Sequence, residues 1–340
     1  MSAPRRSILP LFIPHLGCPH DCVFCSQKRI SGRMFPVTPE DVAEALEALP
    51  GRVDELAFYG GSFTALPPAE QRALLDAAQG AVAAGRLGSI RVSTRPDAID
   101  AKGLELLRSR HVETVELGAQ SMDDGVLRRS GRGHSAADTV RAARAVKDGG
   151  FRLVLQMMTG LPGSSDESDF ATAQRLCALR PDGVRIYPTV ILRDTPLYSL
   201  WRRGEYREHS VEDAVRICAR ILPLFRAADI PVIRLGLNPS DNLSAGDAVG
   251  GAYHPALGEL VQSRVLLEKA RALLHGSMPG TDAVLGVCKS DVSKMIGQHR
   301  QNLTVLQTEY RLRSLRVRET PQIPEGEIIV VSESTRNPGL

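Results

Sequence analysis

Three of the chain's six cysteines lie in one short stretch, PHLGCPHDCVFCSQ (residues 14–27), with the spacing C-x3-C-x2-C. The other three are scattered singly, whereas the clustered trio consists of Cys18, Cys22 and Cys25. Three thiols so close together in a polar loop indicate joint ligation of a metal. One alternative is a closed zinc site with His15 or His20 as the fourth ligand. A trio without a second cysteine pair is a poor zinc-ribbon pattern, and it suits an iron–sulfur cluster with one open iron.

Apolar runs of strand length alternate with helical patterns over the first two-thirds of the chain. ELAFYG precedes the helix-like PAEQRALLDAAQGAVAAG, and SIRVSTRP precedes a helical pattern near residues 102–110. Short strands rich in Val, Ile and Leu, separated by helices, are typical of a parallel sheet covered on both faces. Polar and glycine residues follow these strands, at the edge where such folds build their sites. The pattern predicts an α/β fold, a partial (open) parallel β/α barrel, although a doubly wound sheet would show the same alternation.

The cysteine loop directly follows the first predicted strand, SILPLFIP, and this spacing in this position resembles the radical S-adenosylmethionine superfamily. The resemblance implies a [4Fe-4S] cluster held by the three cysteines, with S-adenosylmethionine bound at its open iron. YGGSF, STRPD and GAQS follow the second, third and fourth predicted strands, as in that superfamily. Glycine suits the first of these turns because the backbone must approach the cofactor closely. The implied cofactor contacts are Phe24, Gly60, Gly61, Ser62, Thr94, Arg95 and Gln120.

Longer segments resemble the radical domain of the Elongator catalytic subunit family: STRPD, ELGAQSMDDGVLRRSGRGHS, AVKDGGFRLVLQMMTGLPGS and PDGVRIYPTVILRDTPLYSLWRRGEY. That family implies modification of the wobble uridine of transfer RNA (tRNA) with an acetyl-derived carboxymethyl group. Three departures distinguish this chain. The first two cysteines are closer together than usual, and Glu55 stands where a lysine is expected. We also expect the acetyltransferase domain to be missing, because only about a hundred residues follow the radical core.

Further round the same edge of the barrel lie residues on the substrate side. The candidate catalytic residues are Gln156, Tyr187 and Arg132, with His134, Met158 and Arg193 as further candidates. For Met158 the alternative is ordinary core filling, which methionine does readily. For His134 the alternative is a position at the entry of a helix, with Ser135 as the N-cap.

The composition is ordinary for a soluble protein, with 43% hydrophobic and 24% charged residues and a formal charge of +3. No apolar run approaches the ~20 residues of a membrane helix, so we expect no membrane association. Isolated cysteines without a secretion signal predict a cytoplasmic protein. Aromatic residues make up only 4% of the chain, which argues against binding single strands on stacked aromatic platforms.

The pattern changes beyond about residue 240. We therefore predict a radical S-adenosylmethionine core barrel over 1–240 and a small α+β extension over 241–340, a candidate substrate-contact region. Its segment HRQNLTVLQTEYRLRSLRVR carries five arginines against a single acid. RLRSLRVR alternates arginine with apolar residues and predicts a strand with one basic face. That face is either simply solvated or a contact surface for a phosphate backbone.

The leading hypothesis is an enzyme that cleaves S-adenosylmethionine reductively, generates a 5′-deoxyadenosyl radical and acts on tRNA. Such chemistry implies an external low-potential electron donor of the ferredoxin or flavodoxin type. Two alternatives stay open at this level. One is a radical enzyme on a small molecule, resembling oxygen-independent coproporphyrinogen oxidases, and the other is a non-catalytic metal-binding module.

Overall fold

The computed structural model describes residues 7–13, 17–26, 35, 37–238 and 246–334. Contacts divide the chain into two compact units. The first consists of Met1–Ala214 and Leu224–Pro255, and the second of Val215–Pro223 and Ala256–Leu340. The domain boundary predicted at residue 240 stays a prediction beside this division.

The first unit is built on nine strands: β1 (Ile8–Phe12), β2 (Val53–Tyr59), β3 (Leu87–Thr94), β4 (Val112–Gln120), β5 (Arg152–Thr159), β6 (Gly183–Pro188), β7 (Val190–Leu192), β8 (Val232–Leu235) and β9 (Ala248–Gly251). Seven of them form one parallel sheet in the order β1-β2-β3-β4-β5-β6-β8, and β7 pairs with β9. A doubly wound sheet would reverse its order at a switch point, so the sequential order excludes that alternative. The sheet curls into a half-barrel, which confirms the predicted open β/α barrel.

Helices connect these strands: α1 (Pro39–Glu47), α2 (Pro68–Asp76), α3 (Gln79–Ala83), α4 (Ala101–Arg108), α5 (Asp124–Arg129), α6 (Ala136–Asp148), α7 (Asp166–Ala178), α8 (Pro196–Arg202) and α9 (Val211–Ala227). Local sequence sets several of their starts. Ser135, Ser165 and Ser210 each accept a hydrogen bond from the backbone amide three residues later, and the side chain there bonds back to the cap. These reciprocal capping boxes satisfy amides that have no partner within the helix.

The two faces of the curled sheet differ in character because successive side chains along a strand point to opposite sides. In β2, Leu56 and Phe58 are fully buried apolar residues on one face. Glu55 alternates with them and is also fully buried. A carboxylate at such a position requires partners from neighbouring strands.

The second unit contains α10 (Leu257–Leu274), β10 (Asp282–Val287), α11 (Val292–Ile296), α12 (Gln301–Glu309), β11 (Ser314–Glu319) and β12 (Ile329–Ser334). Its sheet has the order β11-β10-β12, with β10 parallel to β11 and antiparallel to β12. Leu274, Leu285 and Leu306 lie in its core. The predicted basic strand is confirmed as β11, where Arg316 and Arg318 are exposed. No helix in the described part of the chain is long and apolar enough to span a bilayer.

Candidate active site

The cysteine loop is anchored to three neighbouring elements of the first unit. Gly17 has φ +69°, and a Cβ there would lie 2.3 Å from the carbonyl oxygen of Ser62, which follows β2. The amide of Val23 donates to the carbonyl of Ser130 at 3.1 Å, after α5. The amide of Leu197 in α8 donates to the carbonyl of Val23 at 2.8 Å. The backbone of the loop is therefore fixed against the carboxyl ends of the strands.

None of the three cysteines of the loop forms a disulfide. Cys22 is buried and accepts a hydrogen bond from Arg132 Nη1 at 3.3 Å. The Sγ of Cys18 lies 3.7 Å from the hydroxyl of Ser62, and burial raises the pKa of this thiol. The amide of Cys25 donates to the carbonyl of Cys22 at 3.0 Å, which closes a tight turn between them.

The three thiols of the loop are not positioned as a preformed set of metal ligands. Among the described residues, no group of three or more His, Cys, Asp or Glu side chains is arranged to hold a metal ion. His15, one of the zinc-ligand candidates, lies outside the described residues. The donor set nevertheless fits an iron–sulfur cluster, since three cysteines outside any disulfide share one anchored loop and thiolates are the usual ligands of such clusters.

A glycine turn follows β2 where the sequence predicts it. Gly60 and Gly61 have φ +78° and +103°, a region in which a side chain would be strained. Ser62 after them is fully buried. The hydroxyl of Thr64 lies 2.7 Å from that of Thr94 at the end of β3. This hydrogen bond connects the segment that follows β2 with the end of β3.

Arg95 and Arg132 lie together beside the cysteine loop. Arg95 is buried, pairs with Asp97 at 3.0 Å and donates to the carbonyl oxygen of Arg132. Arg132 donates from Nη2 to the carbonyl of Gly118 at 2.6 Å, and its buried Nε has no partner. Two buried guanidinium groups, one of them paired with Asp97, thus lie next to the thiol of Cys22.

The end of β4 has an unusual backbone. Gln120 has φ +63°, although it is not a glycine, and its Oε1 accepts a hydrogen bond from Gln156 Nε2 at 3.1 Å. A Cβ on Gly118 would lie 2.9 Å from Gln120 Nε2 and 3.3 Å from Arg132 Nη2, so the ends of both side chains lie close to this glycine. The structure thus brings the predicted residues of β4, β5 and the following loop into one hydrogen-bonded group.

Phe24 packs into an apolar cluster that also contains two of the substrate-side candidates. Its neighbours are Val126, Met158, Leu161 and Tyr187. Met158 is buried there, so core filling accounts for its position. Burial also raises the pKa of Tyr187, whose hydroxyl accepts a hydrogen bond from Arg185 at 3.3 Å.

Two further candidates have structural roles. His134 is buried with its Nε2 3.2 Å from the carbonyl oxygen of Ala119, and burial lowers its pKa to about 4. Ser135 caps α6, as the alternative interpretation expected. Arg193 is exposed after β7, and its amide donates to the carbonyl of Asp247 at 3.0 Å. It does not join the group around Gln120.

Sequence reasoning missed a buried charged layer inside the sheet. Arg91 Nη2 lies 2.7 Å from Glu55, and Arg91 Nη1 lies 3.5 Å from Glu116. Arg185 Nε lies 3.0 Å from Glu116 without hydrogen-bond alignment. The side chains of these four residues are at most 10% exposed. The only signal in the sequence is a charged residue inside strands that are otherwise apolar.

A second missed group fastens the turn after β5. The carboxylate of Asp169 accepts the amide of Gly160 at 2.8 Å, and Tyr206 donates its hydroxyl to the carbonyl of Gly160 at 2.6 Å. His209 Nε2 lies 3.1 Å from the hydroxyl of Thr159. Burial raises the pKa of Asp169 to about 7.

Two family profiles match adjoining parts of the chain. The profile of the radical SAM (S-adenosylmethionine) superfamily matches residues 12–176, and that of the radical SAM C-terminal domain matches residues 181–266. The chain belongs to the radical SAM superfamily. It is an enzyme of the radical SAM type, whose cofactors are a [4Fe-4S] cluster and SAM.

Curated radical SAM relatives match part of the chain. Elongator complex protein 3 of Mus musculus is 34% identical over 203 residues, which are 53% of this chain and 37% of that protein. The tRNA uridine(34) acetyltransferase of Methanocaldococcus jannaschii is 29% identical over 245 residues, 59% of this chain and 45% of that protein. The chain therefore spans less than half the length of these two relatives.

Solved radical SAM structures share the fold. The archaeal Elp3 of Methanocaldococcus infernus, with an N-terminal deletion, has a TM-score of 0.62 at 24% identity and covers 82% of this chain and 70% of its own. Coproporphyrinogen III oxidase (HemN) of Escherichia coli, a radical SAM enzyme, has a TM-score of 0.50 at 19% identity, with 66% and 54% covered. At such identities the likeness concerns the fold alone.

Proposed function

We propose that this chain cleaves SAM reductively at a cluster held by Cys18, Cys22 and Cys25, and that it acts on tRNA. One observation carries the proposal. The guanidinium of Arg132 donates both to the Sγ of Cys22 at 3.3 Å and to the carbonyl of Gly118 at 2.6 Å. This contact supports a single site formed by the cysteine loop and the carboxyl end of β4.

The bound, reduced cluster would supply one electron to SAM, whose carbon–sulfur bond breaks to give methionine and a 5′-deoxyadenosyl radical. Gly60 and Gly61 would let the backbone approach the methionine end, because neither carries a Cβ. Ser62, which follows these glycines, would contact the same methionine end of SAM. The cation of Arg95 would bind the methionine carboxylate.

The remaining cofactor contacts would orient the nucleoside. Gln120, held by Gln156, would offer its amide to the ribose, and Thr94 its hydroxyl. Phe24 would lie against the adenine, since it already packs in an apolar cluster with Met158. An apolar wall there would exclude water from a reactive radical.

Gln156, Tyr187 and Arg132 would face the substrate. The phenol of Tyr187 is neutral at physiological pH, and burial, which raises its pKa further, favours that neutral form. Because that hydroxyl accepts a hydrogen bond from Arg185, its own proton is free to bond to a substrate. The role we propose for Tyr187 is positioning the group that loses hydrogen.

The tRNA substrate is supported by the relatives, among them a tRNA uridine(34) acetyltransferase. The chain would need a low-potential electron donor of the ferredoxin or flavodoxin type. We propose a cytoplasmic location, where thiols stay reduced, and the six cysteines, none of which forms a disulfide, support it.

The test is anaerobic incubation of reconstituted protein with SAM and dithionite, with and without total tRNA, followed by quantification of 5′-deoxyadenosine. The variants are Cys22→Ala and, as the matched control outside the loop, Cys177→Ala. We expect product from the wild type and Cys177→Ala, none from Cys22→Ala, and more product when tRNA is present.

Two results would contradict the proposal. A colourless protein that contains zinc, or an intact cluster that yields no deoxyadenosine with or without tRNA, would overturn the cleavage reaction. The proposal that tRNA is the substrate would be overturned if tRNA did not stimulate cleavage and its nucleoside composition stayed unchanged. Mass spectrometry of digested tRNA detects that change.

A further inference from the structure

A four-residue loop with an unusual backbone separates α11 from α12 in the second unit. It consists of Gly297, Gln298, His299 and Arg300. Gly297, His299 and Arg300 have φ +77°, +51° and +63°. Left-handed conformations are unfavourable for non-glycine residues, and strain of this kind concentrates at functional sites.

The elements around this loop have a definite order: strand β10, helix α11, the loop, helix α12 and strand β11. β10 and β11 are parallel neighbours, and both helices contact β11. The same strand–helix–loop–helix–strand order occurs in KH modules. Their GxxG loop clamps the backbone of about four nucleotides of a single strand.

The base of the loop is rigidly held. A Cβ on Gly297 would lie 3.0 Å from Cγ and 3.1 Å from the amide nitrogen of Asn302. Asn302 is buried, and its Nδ2 donates to the carbonyl of Lys294 at 3.1 Å and to the hydroxyl of Ser263 at 2.9 Å. This side chain therefore links α10, α11 and α12. The first loop position must be glycine, as in the GxxG pattern.

The tip of the loop carries unpaired basic side chains. His299 and Arg300 are exposed, and neither side chain has an ion pair or a hydrogen bond to another described residue. Two other cations of this unit have acidic partners: Lys294 pairs with Asp291, and Arg313 pairs with Asp282. Arg300 stands where KH loops have their second glycine. The substitution adds a positive charge at the position that would meet a phosphate.

An apolar strip borders the loop. Val292 and Ile296 of α11 and Val317 of β11 pack against the core of the unit yet stay partly exposed. β11 is an edge strand, so one side of its backbone has no strand partner in the described sheet. Apolar side chains beside a free strand edge can contact the faces and edges of bases. This requires no aromatic platform, in keeping with the low aromatic content of the chain.

We propose that loop residues 297–300 and the partly exposed side chains of Val292, Ile296 and Val317 form a binding site for about four nucleotides of single-stranded RNA. Loop residues 297–300 contact the phosphates, and the strip of Val292, Ile296 and Val317 contacts the bases. The proposal rests on the function proposed above only in taking the RNA to be part of the tRNA substrate. It assigns to the second unit the recognition of an unpaired tRNA segment.

The test uses the full chain with His299→Asp and Arg300→Asp. Aspartate tolerates left-handed backbone better than most residues, so these changes replace a basic side chain with an acidic one at little structural cost. Arg311→Asp is the matched control, because Arg311 is also exposed and has φ +49° but lies beyond α12. The probe is a fluorescent eight-nucleotide unstructured RNA, with affinity measured by anisotropy at several salt concentrations.

We expect the two loop variants to bind the RNA at least tenfold more weakly than the wild type, and Arg311→Asp to bind within twofold. The slope of log affinity against log salt should fall by about 0.7 for each phosphate that the variant no longer binds. Equal affinity of the loop variants and the wild type would overturn the proposal. So would equal weakening by Arg311→Asp, which would indicate attraction by net charge alone.

The outcomes separate this site from the radical chemistry. Loop variants with weakened RNA affinity should still produce 5′-deoxyadenosine in the absence of tRNA. If the wild type binds RNA through the loop but never cleaves SAM, the proposed function fails and the binding site stands. If tRNA stimulates cleavage equally in wild type and loop variants, the binding site fails and the proposed function stands.

Discussion

Arg185 on β6 donates from Nη2 to the hydroxyl of Tyr59 on β2 at 2.7 Å, although three strands separate the two in the sheet. Its guanidinium carbon also lies 5.1 Å from the centre of the tyrosine ring. Such a contact is impossible in a flat sheet, since neighbouring strands lie about 4.8 Å apart. The bond therefore spans the inside of the half-barrel and fixes its curvature.

Removing this cation should destabilise the first unit. In Arg185→Met, Glu116 loses its closer partner and keeps only Arg91 at 3.5 Å, while Tyr59 loses its donor. Breaking one side of a buried pair typically costs about 3–5 kcal/mol. We expect a decrease of that order in the free energy of unfolding, measured by urea denaturation.

Arg203→Met is the control for this change, because Arg203 forms an exposed pair with Glu205. We expect it to leave the urea midpoint unchanged. If Arg185→Met had the same free energy of unfolding as this control, the buried charged layer would not stabilise the curved sheet.

Substitution of Gly17 tests whether its contact with Ser62 positions the cysteine loop. Gly17→Ala places a Cβ 2.3 Å from the Ser62 carbonyl, whereas Gly85→Ala has nothing within 4 Å. Both glycines have nearly the same φ, +69° and +68°, so the backbone strain is matched and only the clash differs. We expect Gly17→Ala to retain less than half of the iron of Gly85→Ala after anaerobic reconstitution. Equal iron content would show that the contact with Ser62 does not position the loop.

The carboxyl group of Asp169 should make stability depend on pH. Its folded pKa of about 7 lies above its ordinary value of 3.8. Its favourable contribution is therefore complete below pH 3.8 and is lost as the pH rises through 7. Between those limits the slope approaches about 1.4 kcal/mol per pH unit.

Asp169→Asn keeps an oxygen for the Gly160 amide but cannot ionise. We expect the wild type to lose stability relative to this variant from pH 5 to pH 8, by urea unfolding at each pH. A constant difference across that range would mean that Asp169 titrates normally in the folded protein.

Much of the fold could be predicted from the sequence because parallel strands and helices have distinct periods. The helical pattern near residues 102–110 corresponds to α4 (Ala101–Arg108), and its start is explained by Asp100, whose side chain accepts a hydrogen bond from the Gly103 amide. The glycine turn at Gly60 and Gly61 was equally clear, since positive φ favours glycine. Local chemistry determines these features, so a single sequence reveals them.

The rest depends on contacts between distant residues. Nothing local connects Glu55 with Arg91, 36 residues away, or Tyr59 with Arg185, 126 residues away. In the sequence each charge alone is only an interruption of an apolar strand. The loop at 297–300 was missed for a different reason: only its first position is glycine, and the left-handed φ of His299 and Arg300 has no signature in the residue types.

The charges of the buried layer alternate in sign along a single file: Glu55, Arg91, Glu116 and Arg185. Two negative and two positive groups sum to zero where water cannot compensate an imbalance. A protein in which one of these four residues is mutated has an unbalanced charge at a buried position. We therefore expect related sequences either to keep all four residues or to change them in charge-compensating pairs. Substitutions at the four positions should then be correlated.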